Sequence, residues 1–205
     1  MKYTLPSAAY DNKIYAKFSK NTIEKKSQNK MEFCREHELS CQQRQLLVGI
    51  VMELSQKNGA KLLEDILPGM LSLNVCLAVR GVGTEQFQNL ILNFSKQYPG
   101  RIAVVHDTNE GLRKIFAASD TSFFFSGGLD NEQLVQASLG YACLPIAPEG
   151  MRHIVEDYNP NQESGTGFLF SDGNPWSAFA ALVRANENFR FPYDWKNIQK
   201  SAIEN

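Results

Sequence analysis

Nothing among the 205 residues is long and apolar enough to cross a bilayer: the longest runs, "LLVGIVMEL" and "SLNVCLAV", fall well short of the roughly 20 residues that a spanning helix needs. The start, "MKYTLPSAAYDNKIYAKF", lacks the apolar core of a secretory signal. Neither sign of charge dominates. With 21 basic and 22 acidic side chains the net charge is −1, which leaves no electrostatic footprint for nucleic acid or an anionic membrane. Cysteine is scarce, and Cys34, Cys41, Cys76 and Cys143 form no C-x-x-C pair, so the spacing excludes a zinc site and predicts buried or incidental free thiols. Histidine is rarer still, and His106, at the end of an apolar run, reads as a loop residue rather than a catalytic base. These absences describe a soluble, cytoplasmic protein with no metal and no cofactor, large enough for a two-sided core.

What is present is an alternation. Residues 1–43 are polar and Lys-rich, with Ile23, Met31, Phe33 and Leu39 at loose helical spacing, and are expected to form a helical N-terminal arm. From residue 44 the strand-length runs "QLLVGIVM", "NVCLAVRG", "RIAVVHD", "TSFFFS", "CLPIAP" and "TGFLFS" are separated by helical patterns, among them "EQFQNLILNFSKQY", "NEGLRKIFAAS", "NEQLVQASLGYA" and a short "GMRHIVEDY". Near-continuous apolar strands alternating with helices predict an α/β fold: a single Rossmann-like domain over 44–173, with a parallel sheet of five or six strands covered by helices on both faces. Residues 174–205 read as two closing helices.

In such a sheet ligands bind at the carboxyl ends of the strands. Four turns therefore matter: "MELSQKNG", "RGVGT", "HDTNEG" and "SGGLDNE". "RGVGT" is not a dinucleotide fingerprint, because Gly81 and Gly83 lack the third glycine, and a plain tight turn accounts for it.

Taken in order, these segments resemble the C-terminal, nucleotide-sugar half of bacterial glycogen and starch synthases, retaining glycosyltransferases of the two-domain GT-B fold. "YAKFSKNTIEKKSQNKMEFCREHEL" is similar to the family's Tyr-Ser-x-x-Thr-Leu-Glu-x-Lys-x-x-Asn-Lys segment, "SQKNGAKLLEDILPGML" to its S-Q-K-G loop and helix, "GVGTEQFQNLILNFSKQYPGRIAVV" to its Gly-x-Gly-Asp turn and Tyr-Pro-Gly exit, and "GTGFLF" to its Gly-x-Gly-Phe-x-Phe strand. The likeness runs colinearly over roughly residues 10–185.

The resemblance implies a donor site whose chemistry is altered here. Where the family has an arginine and a lysine on the diphosphate, this chain has Glu53 and Asn58, with Lys57 one position away. Two like charges at about 4 Å repel by roughly 4 kcal/mol at an effective dielectric of 20, more than several net hydrogen bonds return. Counting back from Pro145 without a gap puts Ser126 on the family's serine, Gly127 on its arginine and Leu129 on the glutamate it uses at the donor sugar; a one-residue slip would instead offer a carboxylate from Asp130 or Glu132. Ala137 stands where the wider retaining group has a second glutamate. Leucine and alanine can neither accept a hydrogen bond nor stabilise an oxocarbenium-like cation. Thr108 replaces the aromatic residue packed on the nucleotide base, although Glu110 is kept. The phosphate loop is reduced to "PEGM", with Pro148 and Glu149 ahead of the surviving Gly150.

The remaining donor-site positions are thus Glu53, Lys57, Asn58, Gly81, Gly83, Thr108, Glu110, Ser126, Gly127, Gly128, Asp130 and Gly150, with no catalytic residue among them. The resemblance also places the family's Lys-x-Gly-Gly-Leu motif and glucan surface in an N-terminal half that these residues do not include. The expectation is a catalytically silent binding module. A protein partner would dock on the carboxyl edge through Leu129, Asp130 and Asn131, and nucleotide-sugar or α-glucan would bind weakly. Its rivals are one half of a split glucosyltransferase and a glucan-binding remnant presenting Trp176, Tyr193 and Trp195, for which helical spacing predicts core packing instead.

Overall fold

The computed structural model describes residues 5–204; the first four positions of the expected arm and the last position of the closing helices lie outside them. Six strands form one sheet in the order β3-β2-β1-β4-β5-β6. They are β1 (Leu46–Ile50), β2 (Val75–Arg80), β3 (Ile102–Val105), β4 (Thr121–Phe123), β5 (Leu144–Pro148) and β6 (Phe168–Phe170). Every neighbouring pair is parallel, with Leu46 beside Val75 and Val48 beside Thr121. The sheet agrees with the expected architecture. Apart from exposed Val104 on the edge strand β3, every strand residue is buried, which is why these segments read as unbroken apolar runs rather than as alternating ones.

The helices are α1 (Lys26–Glu36), α2 (Ala60–Ser72), α3 (Glu85–Gln97), α4 (Asn109–Ala118), α5 (Leu129–Gly140), α6 (Pro175–Phe189) and α7 (Pro192–Glu204). In one layer α2 packs with α6; on the other, α1 packs with α4 and α5 with α7. The segment before β1 belongs to this packing. Phe18, Ile23 and Phe33 are buried, and the buried carboxylate of Asp11 accepts the Tyr141 hydroxyl proton at 2.5 Å. Met31, expected with the apolar set, is exposed.

One expected helix is absent. In "GMRHIVEDY" only a short 3-10 turn, Glu149–Met151, forms. The backbone beyond it is claimed by sheet-like pairing, since Tyr158 N–H donates to the Gly167 carbonyl at 2.8 Å and Thr166 N–H to that of Glu156 at 2.9 Å. Asp157 then caps the edge of β6 by accepting from Leu169 N–H at 2.7 Å. A helix would break all three bonds.

Candidate functional site

The strand order reverses between β1 and β4, and in open parallel sheets the crevice beyond that reversal is where ligands bind. The loops leaving these two strands enclose a cleft of about 430 Å³ lined by Glu53, Lys57, Asn58, Gly127, Gly128, Leu129, Asp130, Asn131 and Leu134. Eight positions singled out from sequence, all of the lining but Leu134, therefore meet in one place.

Local geometry explains how they meet. After β1 the chain makes a 3-10 turn, Gln56–Asn58, then enters α2 through Gly59 in the left-handed region at φ 76°. A Cβ there would lie 2.8 Å from the Phe125 carbonyl oxygen, so this close approach of the two loops requires glycine. The turn brings both Lys57 and Asn58 to the cleft wall, so a one-residue shift in register does not remove the lysine from it. Asn58 Nδ2 donates to the Glu53 carbonyl at 3.3 Å and fixes the loop.

Across the cleft, α5 begins at Leu129 with Asp130 and Glu132 in its first turn. Asn131, expected as a docking contact, is instead buried: its Nδ2 donates to the carbonyl of Ser126 at 3.1 Å and to that of Gly127 at 3.3 Å, tying the Gly-Gly turn to the helix. Leu129 is 77% exposed at the cleft mouth. A Cβ at Gly127 or Gly128 would meet nothing within 4 Å, so this wall is open to a close-lying group.

Other predicted positions lie elsewhere along the carboxyl edge. Ala137, two turns into α5, packs against the core and is not part of the cleft. Gly83 pairs with Leu54 and its φ is 147°; a Cβ there would sit 2.2 Å from the Leu54 carbonyl oxygen, so this glycine joins two loops. Gly81 lines a separate pocket of about 350 Å³ with Val104, His106 and Asp107. Thr108 caps α4 by accepting from Gly111 N–H at 2.9 Å. Glu110 sits within reach of Lys114 at 3.5 Å and Lys13 at 3.7 Å. The Gly150 amide donates to Asp172 Oδ1 at 3.3 Å, so a carboxylate already occupies the surviving glycine of the phosphate loop.

One relevant cation escaped the sequence reading. Arg80, at the carboxyl end of β2, pairs with Asp107 at 2.5 Å and donates to the Val51 carbonyl at 3.2 Å. An arginine closing an otherwise apolar strand was the available signal. Of the aromatics considered as a glucan surface, Trp195 is buried between Phe168 and Phe189, as core spacing predicts. Trp176 and Tyr193 are exposed, because each sits in the first turn of its helix, beyond the buried stripe. Among the described residues no group of His, Cys, Asp or Glu is placed to hold a metal ion, and no helix is long and apolar enough to cross a membrane.

No protein-family model matches the chain. It is 32% identical over 203 residues to glycogen synthase 1 of Synechocystis, a likeness covering 95% of this chain and 42% of that protein. The chain spans about two fifths of the length of the curated relatives it matches. Its fold superposes on the catalytic domain of starch synthase IV from Arabidopsis thaliana, solved with ADP and acarbose, with a TM-score of 0.84 at 21% identity over 97% of this chain and 43% of that one. It also superposes on the C-terminal domain of a glycosyl transferase group 1 family protein from Francisella tularensis, with a TM-score of 0.67 at 12% identity, covering 91% of this chain and 95% of that domain. The chain is thus a relative of the glycogen synthases and resembles their C-terminal half.

Proposed function

We propose that this relative of the glycogen synthases keeps the shape of a nucleotide-sugar cleft without its charge, and works as a binding module rather than as a sugar transferase. The observation that carries the reading is the cleft lining: two carboxylates, Glu53 and Asp130, stand against one ammonium, Lys57. A transferase of this type must stabilise a departing nucleoside diphosphate, whose charge grows in the transition state. This cleft repels that charge. No carboxylate stands at Leu129 to face a sugar cation, and Ala137 lies half-buried against the core, outside the cleft. The exposed Leu129 side chain offers apolar area at the rim, the kind of feature a protein partner covers.

A second reading, half of a glucosyltransferase that uses a nucleotide-sugar donor, is favoured by one feature: the open glycine wall at the start of α5, facing Lys57. A helix N-terminus attracts anions, and glycine lets them approach closely. Against it, Asp130 and Glu132 fill the first turn of that helix with negative charge.

Calorimetry with ADP-glucose and UDP-glucose separates the readings. The binding-module reading expects dissociation constants above about 1 mM for both. Micromolar affinity for either donor overturns it in favour of the second.

A further inference from the structure

At the amino edge of the sheet, opposite the cleft, lies a pocket of about 410 Å³ whose lining includes Lys26, Lys30, Arg44, Asp120, Trp195 and Lys196. Its charges do not balance: four cations face two carboxylates, Asp120 and Glu24. One carboxylate is already committed, because Asp120 Oδ2 lies 2.6 Å from Lys30 Nζ.

Lys26 is the unusual member. Its ammonium is buried and spends all three protons on neutral carbonyls, of Phe116 at 2.8 Å, Tyr141 at 2.9 Å and Ala117 at 3.0 Å. Among the described residues no carboxylate makes an ion pair with it. Buried charge is costly unless an opposite charge is near. Lys26 and Lys30 have no proton left for a ligand, since Lys30 also serves the carbonyls of Gln45 and Gln43; they supply field, not contact. Contacts would come from Arg44 and Lys196, both exposed and without a hydrogen-bond or ion-pair partner among the described residues.

We propose that this pocket is a binding site for a small multivalent oxyanion of the phosphate class, held by Arg44 and Lys196 over the buried Lys26–Lys30 pair. An oxyanion with two or more charges neutralises the excess. The arginine fork matches phosphate oxygens in pairs, and the lysine adds a second charge-assisted bond. The site lies at the opposite end of the sheet from the cleft, so its occupancy is separable from any donor binding there.

The test uses the full chain with Trp176→Phe, which leaves Trp195, on the pocket wall, as the only indole. Inorganic phosphate and pyrophosphate are titrated at constant ionic strength, following Trp195 emission and heat, with chloride as the matched control. The expected result is a saturable change with pyrophosphate. Arg44→Ala with Lys196→Ala should weaken it at least roughly ten-fold, as loss of charge-assisted contacts requires, while Lys57→Ala in the cleft should leave it unchanged. Both substituted residues of the double variant are exposed, so folding is not at stake. The proposal is overturned by no saturable response up to about 10 mM, near the weak limit of specific binding. An equal response to chloride, or undiminished affinity in the double variant, overturns it as well.

Discussion

Lys30 Nζ lies 2.6 Å from Asp120 Oδ2 in the interior, and the same carboxylate oxygen accepts Leu47 N–H at 2.8 Å. One aspartate at the foot of β4 therefore fastens both α1 and β1. Removing one partner of a buried pair leaves the other charge uncompensated, at a cost of about 3–5 kcal/mol. Lys30→Met and Asp120→Asn should each destabilise on that scale in urea unfolding. The double variant should lose less than the sum of the two, because it leaves neither buried charge without its partner. Strict additivity would mean that the pair carries no coupling.

That pair also marks where the sequence stopped being legible. The sheet was readable because its strands are buried on both faces and so stand out as apolar runs. The cleft was readable because parallel strands deliver their following loops to one edge, which gathers Glu53, Lys57 and Gly127 without any knowledge of contacts. Lys26 and Lys30 sit in a stretch whose composition reads as solvent-exposed, yet both ammoniums are buried. Burial of a lysine depends on carbonyls and a carboxylate some 90 residues away, which no local pattern records. The lost helix after β5 fails for the same reason: its periodicity is real, but Gly167 and Leu169 take its hydrogen-bonding groups.

The glycines of the carboxyl edge divide into structural and open ones. Gly83→Ala forces a Cβ to within 2.2 Å of the Leu54 carbonyl oxygen and should cost more than about 2 kcal/mol, enough to lower the thermal midpoint by several degrees. Gly127→Ala meets nothing within 4 Å and should stay within about 0.5 kcal/mol of the parent. Thermal melts of the two variants check the division. A Gly127 variant as damaged as the Gly83 variant would mean that the open wall is a packing surface.

Charge at the cleft is open to direct reversal. Glu53→Arg with Asn58→Lys removes one carboxylate and places cations on the wall beside Lys57. If repulsion of the diphosphate is what keeps nucleotide affinity low, ADP should then bind measurably more tightly, by ten-fold or more for a change of about 1.4 kcal/mol. Calorimetry at low and high salt reads this out, since the gain should shrink with screening. No gain at either salt concentration would break the link between this loop and a phosphate position.

A partner docking on the carboxyl edge would cover Leu129, the large apolar side chain exposed at the cleft mouth. Leu129→Arg adds charge at an exposed position and should leave the thermal midpoint within a degree or two, as surface substitutions do. Binding of a purified partner should weaken by ten-fold or more if Leu129 is central to its footprint. Unchanged affinity, or a footprint mapped to the amino edge, would remove the cleft from the interface.

Lys26 makes the fold's stability depend on pH in an unusual direction. A lysine in the unfolded chain titrates near 10.4. Burial pushes Lys26 down to about 8, against the three carbonyls that hold its protons. Between those two values the unfolded chain keeps the proton and the fold releases it. The unfolded state then binds more protons, so this group's contribution to stability rises with pH. Below about 8 both states are protonated and the full desolvation cost, on the order of 3 kcal/mol, is present. Cys143 works the other way, since burial raises its thiol to about 11 and the unfolded chain ionises first. The comparison therefore belongs in a Cys143→Ala background, between about pH 7.5 and 9.5, below the range where unfolded tyrosines titrate. There the parent should gain stability relative to its Lys26→Met derivative as pH rises, read as a difference in urea midpoints at fixed slope. Parallel curves would mean that the three carbonyls hold the ammonium charged through the whole interval and that its burial is fully compensated.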